Sequence, residues 1–277
     1  MSPGRRPPAR PSPLERDLAR VEGSYAEVLS SASPPAEPVH QLHRELRALR
    51  ARARAFRSLL PPARRKAFAA ELRRLGRMAR RTGELRDRTV IRELLDRPEA
   101  RRRIPRVTRE LAHHLLDQED AVGLAFLRTY LGSEPRRGSV RRLVDLTRVS
   151  TGKVPRWKEA LAEELGRKER ELDRRFRRAG RRPSVRRLHR LRRALRNLSV
   201  LEASAGGTPD PSRRGLSRRR ERLQRRLGRL HDLEIFREWV ARLPSPGGED
   251  LSLLWRKEER RRLAQIRLAL ASAPRRR

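Results

Sequence analysis

Residues 38–60 read PVHQLHRELRALRARARAFRSLL, and the order of their side chains decides the fold class. Leu42, Leu46, Leu49, Ala53, Phe56 and Leu60 step by four and three, the spacing that draws one apolar stripe down an α-helix. His40, His43, Arg47, Arg50 and Arg54 step in the same way one residue later, about 100° around the same cylinder. A helix that buries one stripe and lays cations along its flank is therefore expected here.

The pattern returns further along the chain. Leu188, Leu191, Leu195 and Leu198 form an apolar stripe with His189, Arg192 and Arg196 displaced beside it. The stretch 212–243 carries Leu216, Leu223, Leu227 and Leu230 alongside Arg219, Arg222, Arg226 and Arg229. Val39-His40-Gln41-Leu42-His43 is echoed by Leu188-His189-Arg190-Leu191-Arg192, and Leu85-Arg86-Asp87 by Leu230-His231-Asp232, at offsets of 149 and 145 residues. Two motifs in the same order at nearly one offset argue for a duplicated helical unit.

Helical signals fill 14–31, 38–60, 62–95, 104–131, 139–149, 155–178, 184–203, 212–243 and 249–271, with Gly83 a candidate interruption of the third. No strand pattern remains. The expected architecture is all-α, two tandem related helical bundles around a basic central groove. Residues 1–13 are read as a flexible proline-rich basic leader, 14–135 as the first bundle, 139–272 as the second and 273–277 as a basic tail, with the junction near Pro135 to Ser139.

Composition narrows the function. The 277 residues hold 72 Lys plus Arg against 34 Asp plus Glu, a formal charge of +38, and only five of the cations are lysine. Such an excess opposes compaction unless anions offset it, so a polyanion is the expected partner. Arginine is not spread evenly: residues 110–134 hold Glu110, Asp117, Glu119, Asp120 and Glu134 against Arg128 alone, whereas 211–229 hold nine arginines and one acid. Uneven charge is what a binding surface requires, beyond compositional drift.

Zero cysteines exclude disulfides, thiolate zinc sites and a thiol nucleophile. No hydrophobic leader or membrane span is present, so a cytoplasmic protein is expected. Thr151-Gly152-Lys153 lacks the earlier glycine of a phosphate-binding loop, Thr147 standing in its place. His231-Asp232 alone is no metal site, and neighbouring arginines would repel a cation from His40 with His43 or from His113 with His114. No enzyme, cofactor or metal is expected.

Taken together, Val39-His40-Gln41-Leu42 with Arg47, Leu49, Arg50, Arg54 and Phe56, Arg86-Asp87, Leu188-His189-Arg190-Leu191-Arg192 with Arg196 and Leu198, and Gly228-Arg229-Leu230-His231-Asp232-Leu233-Glu234 resemble the conserved histidine α-helical domain, CHAD. The resemblance runs from about residue 14 to 271. His43, Ala48, Asn197 and Ser199 depart from it where a basic residue is usual, and Thr89 where an acid is common. It implies two related helical bundles with a basic central surface, and a role in binding inorganic polyphosphate, sometimes at polyphosphate granules. No Glu-x-Glu-x-Lys signature of a triphosphate-tunnel domain occurs, so the chain resembles a stand-alone member.

The residues expected to bind the polymer are His40, His43, Arg47, Arg50, Arg54, Arg77, Arg86, His189, Arg190, Arg192, Arg196, Arg222, Arg226, Arg229 and His231. Arginine forks suit phosphate oxygens and keep their charge at every working pH. Asp87 and Asp232 are expected to fix Arg86, His231 or a facing arginine. Nonspecific nucleic-acid binding is the competing partner, disfavoured by an aromatic content of 4% with Phe56, Phe68, Phe236 and Trp239 at or near apolar-stripe positions. A protein-interaction scaffold is the third reading.

Overall fold

The computed structural model describes residues 13–30, 36–148, 156–204, 214–243 and 247–271. Every regular element among them is helical: α1 (Pro13–Ser30), α2 (Ala36–Phe56), a 3-10 turn (Arg57–Leu59), α3 (Pro62–Leu95), α4 (Pro98–Arg103), α5 (Arg106–Gly132), α6 (Glu134–Arg148), α7 (Arg156–Arg181), α8 (Val185–Ser204), α9 (Arg214–Val240) and α10 (Gly247–Ala271). The leader before residue 13, the tail 273–277 and Thr151-Gly152-Lys153 lie outside the described residues.

Local chemistry sets several of these ends. Proline opens α3 and α4 at Pro62 and Pro98, where its fixed φ suits the first turn and its missing N–H is not needed. Pro98 therefore starts the short helix α4 that the sequence reading took as a break. Ser184 accepts the Arg187 N–H at 3.4 Å and caps α8. Gly83 does not interrupt α3, which runs unbroken from Pro62 to Leu95.

The expected stripes are the core. Leu42, Leu46, Leu49 and Ala53 are fully buried with α1, α3 and part of α5, joined by Val140, Leu143 and Val144 of α6. Leu188, Leu191, Leu195 and Leu198 pack with Leu223, Leu227 and Leu230 of α9 and with α7 and α10. A further cluster unites the distal ends of α3, α5, α9 and α10 around Phe236, Trp239 and Trp255. At roughly 25 cal/mol per Å² of apolar surface removed from water, each fully buried leucine contributes about 2 kcal/mol toward offsetting chain entropy.

These packings bring the motif helices together. Besides pairing with its sequence neighbour α3, α2 lies against α8, and α3 lies against α9. Tyr25 ties α1 to the end of α5 by donating to the Leu131 carbonyl, and buried Glu71 of α3 accepts from Ser139 and Arg142 of α6. No described helix is long and apolar enough to cross a membrane.

Candidate functional site

Where α2 meets α8, the basic flanks of the two helices face each other. Arg47, Arg50 and Arg54 come from α2, Arg192, Arg193 and Arg196 from α8, and Arg86 from α3. Arg192 is 8% exposed although charged. Arg47, Arg50, Arg54 and Arg196 are half-buried and Arg193 is exposed.

The electrostatics record the crowding. Burial, then Arg192, Arg193 and Arg86, push Arg47 down to about 10. Burial, then Arg47, Arg192 and Arg86, push Arg196 down to about 9. Burial, then Arg54, Arg193 and Arg80, push Arg50 down to about 10. Arg54 is lowered by burial and by Arg193, and Arg192 by burial, against which Asp232 acts. At about 9 to 10, Arg47, Arg50 and Arg196 remain charged at neutral pH despite their crowding.

Several arginines elsewhere are matched to acids. Arg88 reaches Glu119 and Asp120, Arg92 reaches Asp117 and Asp120, and Arg220 reaches Glu202 and Glu169. Among the described residues, none of Arg47, Arg50, Arg54, Arg192, Arg193 and Arg196 has an acid at ion-pair distance. Glu164 and Glu171 act on Arg54 from a distance, as Asp232 and Asp87 act on Arg192, and the acids at contact distance meet Arg86. Its guanidinium donates to Asp87 at 3.1 Å and lies 3.7 Å from Asp232 of α9, bridging the two halves of the chain. A dense group of cations with so few counter-charges favours an anion that can meet several of them at once.

The histidines play different parts. Thr82 Oγ1 donates to the Met78 carbonyl at 3.2 Å and accepts from His43 Nδ1 at 3.2 Å, leaving Nε2 to accept from Arg47 at 3.5 Å. Burial, then Arg47 and Arg196, push His43 down to about 3. The neutral ring therefore holds Arg47. Gly83 permits the approach, since a Cβ there would lie 3.0 Å from His43 Cε1. His40 is lowered by burial, then by Arg44 and Arg86.

His189 is lowered by burial, then by His231, Arg193 and Arg192. Its ring lies 5.2 Å from that of His231, which approaches Glu234 at 3.4 Å. His189, His231 and Glu234 offer three ligand atoms within 4.8 Å of one another and form the one group found among the described residues that could hold a metal. Arg192 and Arg193 set a field there that opposes a cation. His113 faces Asp96 at 3.3 Å and His114 faces Gln118 at 2.9 Å.

Not every sequence candidate reaches the cluster. On α9, Arg220 and Gln224 contact α8 through Glu202 and Ser199, and His231 meets His189. Arg222, Arg226 and Arg229 lie roughly opposite on the helical wheel, and Arg226 donates instead to the Gln265 carbonyl of α10 at 3.4 Å. Arg190 lines a separate surface cavity of about 500 Å³ between α7 and α8 with Arg174, Arg175, Arg178, Arg187 and Glu171. Arg77 is exposed, about 100° around α3 from the face where Gly76 meets Arg50.

Arg193 and Arg80 belong to the electrostatic cluster and were missed. Arg193 stands four residues after His189, so the helical step that selected Arg192 could also have selected it. Arg80 stands three residues after Arg77 and acts on Arg50 across α2 and α3.

The family model of the CHAD domain matches residues 14–241. The crystal structure of the CHAD domain from the plant Ricinus communis is similar in fold, with a TM-score of 0.72 at 17% identity over 94% of this chain and 90% of that one. PptA from Streptomyces chartreusis aligns with a TM-score of 0.52 at 17% identity, covering 92% of this chain and 97% of that one. No curated protein matches the sequence. With the basic faces of α2 and α8 packed together and the family model spanning both motif sets, the chain belongs to the CHAD domain family.

Proposed function

We propose that the protein binds inorganic polyphosphate along the interface of α2 and α8, without catalysis. The observation that carries this reading is the set of Arg47, Arg50, Arg192, Arg193 and Arg196, gathered from both halves of the chain with no acid at ion-pair distance among the described residues. A linear polyphosphate carries about one charge per phosphate and offers no base to read, so a spaced row of guanidiniums is a sufficient receptor. The CHAD family's association with polyphosphate binding supports the same choice. His43 holds Arg47, and Asp87 with Asp232 hold Arg86, so these cations lose less entropy when the polymer arrives. Docking on polyphosphate granules in the cytoplasm is the cellular role this activity fits.

The test is competition binding in moderate salt among long polyphosphate, duplex DNA, single-stranded RNA and heparin at matched charge. Polyphosphate is expected to win. The joint replacement Arg47→Glu, Arg50→Glu, Arg192→Glu and Arg196→Glu is expected to abolish its binding with helical content kept. Preference for nucleic acid, or unchanged affinity in the variant, would overturn the assignment.

A further inference from the structure

Helix α5 is the anomaly on this surface. Of the six large hydrophobic residues exposed among the described residues, four lie on it: Val107 at 76%, Leu111 at 57%, Val122 at 72% and Phe126 at 49%. An exposed apolar stripe is informative where an isolated exposed leucine is not. The opposite side of α5 is already committed, with Ala112, Leu116, Leu127 and Leu131 buried in the core. The outer face is also charge-matched. Glu110 pairs with Arg106 at 2.6 Å, and Asp117 with Arg92 at 2.8 Å.

We propose that this outer face of α5 is a homodimer interface, on which a second copy of the chain packs its own α5 antiparallel about a two-fold axis. One observation says where a second copy could dock, and two more select it. The chain carries +38 overall, so two copies repel through their basic surfaces, and α5 presents a face on which the acids are paired and apolar side chains dominate. The stripe is also self-complementary. Val107 with Phe126 and Leu111 with Val122 are centred on the same point of the helix, between Leu116 and Asp117, so the two-fold sets each against its counterpart on the mate. Near that centre His114 and Gln118, bonded to each other at 2.9 Å, place polar groups that favour this register over a slipped one.

Phe126 is prepared for such a contact. The Arg81 guanidinium lies 5.0 Å from its ring centre and Tyr130 stacks at 6.0 Å. An aromatic fixed in advance loses little freedom on docking. The stripe from Val107 to Phe126 is about 29 Å long. Two such faces bury on the order of 1,000 Å² in total, at the lower bound of specific interfaces, which points to a weak, micromolar dimer.

The experiment is sedimentation of the full chain without polyanion, from about 1 to 100 µM, at low and high salt. The expected result is a monomer–dimer equilibrium that strengthens with salt as repulsion between the cationic copies is screened. Leu111→Glu with Val122→Glu is expected to give a monomer at every concentration with unchanged circular dichroism, because both side chains are exposed in the protomer. Since the chain has no cysteine, Leu111→Cys with Val122→Cys is expected to give a covalent dimer on mild oxidation; within one chain these positions are about 16 Å apart. A monomer throughout, a dimer indifferent to the glutamates, or a dimer that does not cross-link would overturn the proposal.

Discussion

Arg47 donates to Nε2 of His43 across 3.5 Å, so the histidine can hold the arginine only while its ring is neutral. The relationship makes His43 a prop for the residue beside it, and it makes the site sensitive to acid through stability.

His43 lies at about 3 in the folded chain, below the ordinary imidazole value of 6.5. Its contribution to stability is therefore complete above the unfolded value and is lost as pH falls from 6.5 toward 3. By linkage, acidification to about pH 4.5 should cost about 3 kcal/mol through this one group. Urea unfolding of the parent and of His43→Leu at both pH values checks this: the variant should lose less on acidification.

The unmatched arginines should weaken the free protein. Arg196→Met, which removes a half-buried cation pressed by Arg47 and Arg192, is expected to stabilise the chain by about 1 kcal/mol. The same change should weaken polyphosphate binding. Thermal unfolding and a binding titration on one preparation of each variant measure both effects.

Position on the helix, more than charge count, should govern affinity. Arg192→Gln with Arg196→Gln is expected to reduce polyphosphate affinity at least tenfold and to flatten the plot of log K against log salt by about two phosphate contacts. Arg222→Gln with Arg226→Gln removes the same charge from the far side of α9 and should change affinity about threefold or less. Titration at several salt concentrations separates the two pairs.

Gly76 offers a subtler test. A Cβ there would come within 2.8 Å of the Arg50 guanidinium carbon, a flexible end that can move aside. Gly76→Ala should therefore leave stability unchanged or raise it by up to about 1 kcal/mol through helix propensity. Polyphosphate affinity should fall as Arg50 is displaced.

Helical spacing alone located the apolar stripes of α2 and α8 and the cations beside them, because period and burial are local consequences of one helix. The repeat of Leu85-Arg86-Asp87 as Leu230-His231-Asp232 offered the two acids as anchors for Arg86, His231 or a facing arginine, and an ion pair joining α3 to α9 brings Arg86 to Asp232. The spacing could not tell which side of α9 would face α8. Both sides carry arginines, and only the packing of Leu223, Leu227 and Leu230 orients them. Nor could it reveal that His43 points at Thr82, a contact made across 39 residues of chain.

Cations outnumber acids along the seam between α2 and α8, so the free chain's halves push against each other where they touch. A polymer laid along it would act as a staple, and the melting temperature would then report how much of that polymer is at hand. At a hundredfold excess over the dissociation constant, such a ligand adds about 2.7 kcal/mol to the folded state. Durability and cargo would rise and fall together in this molecule.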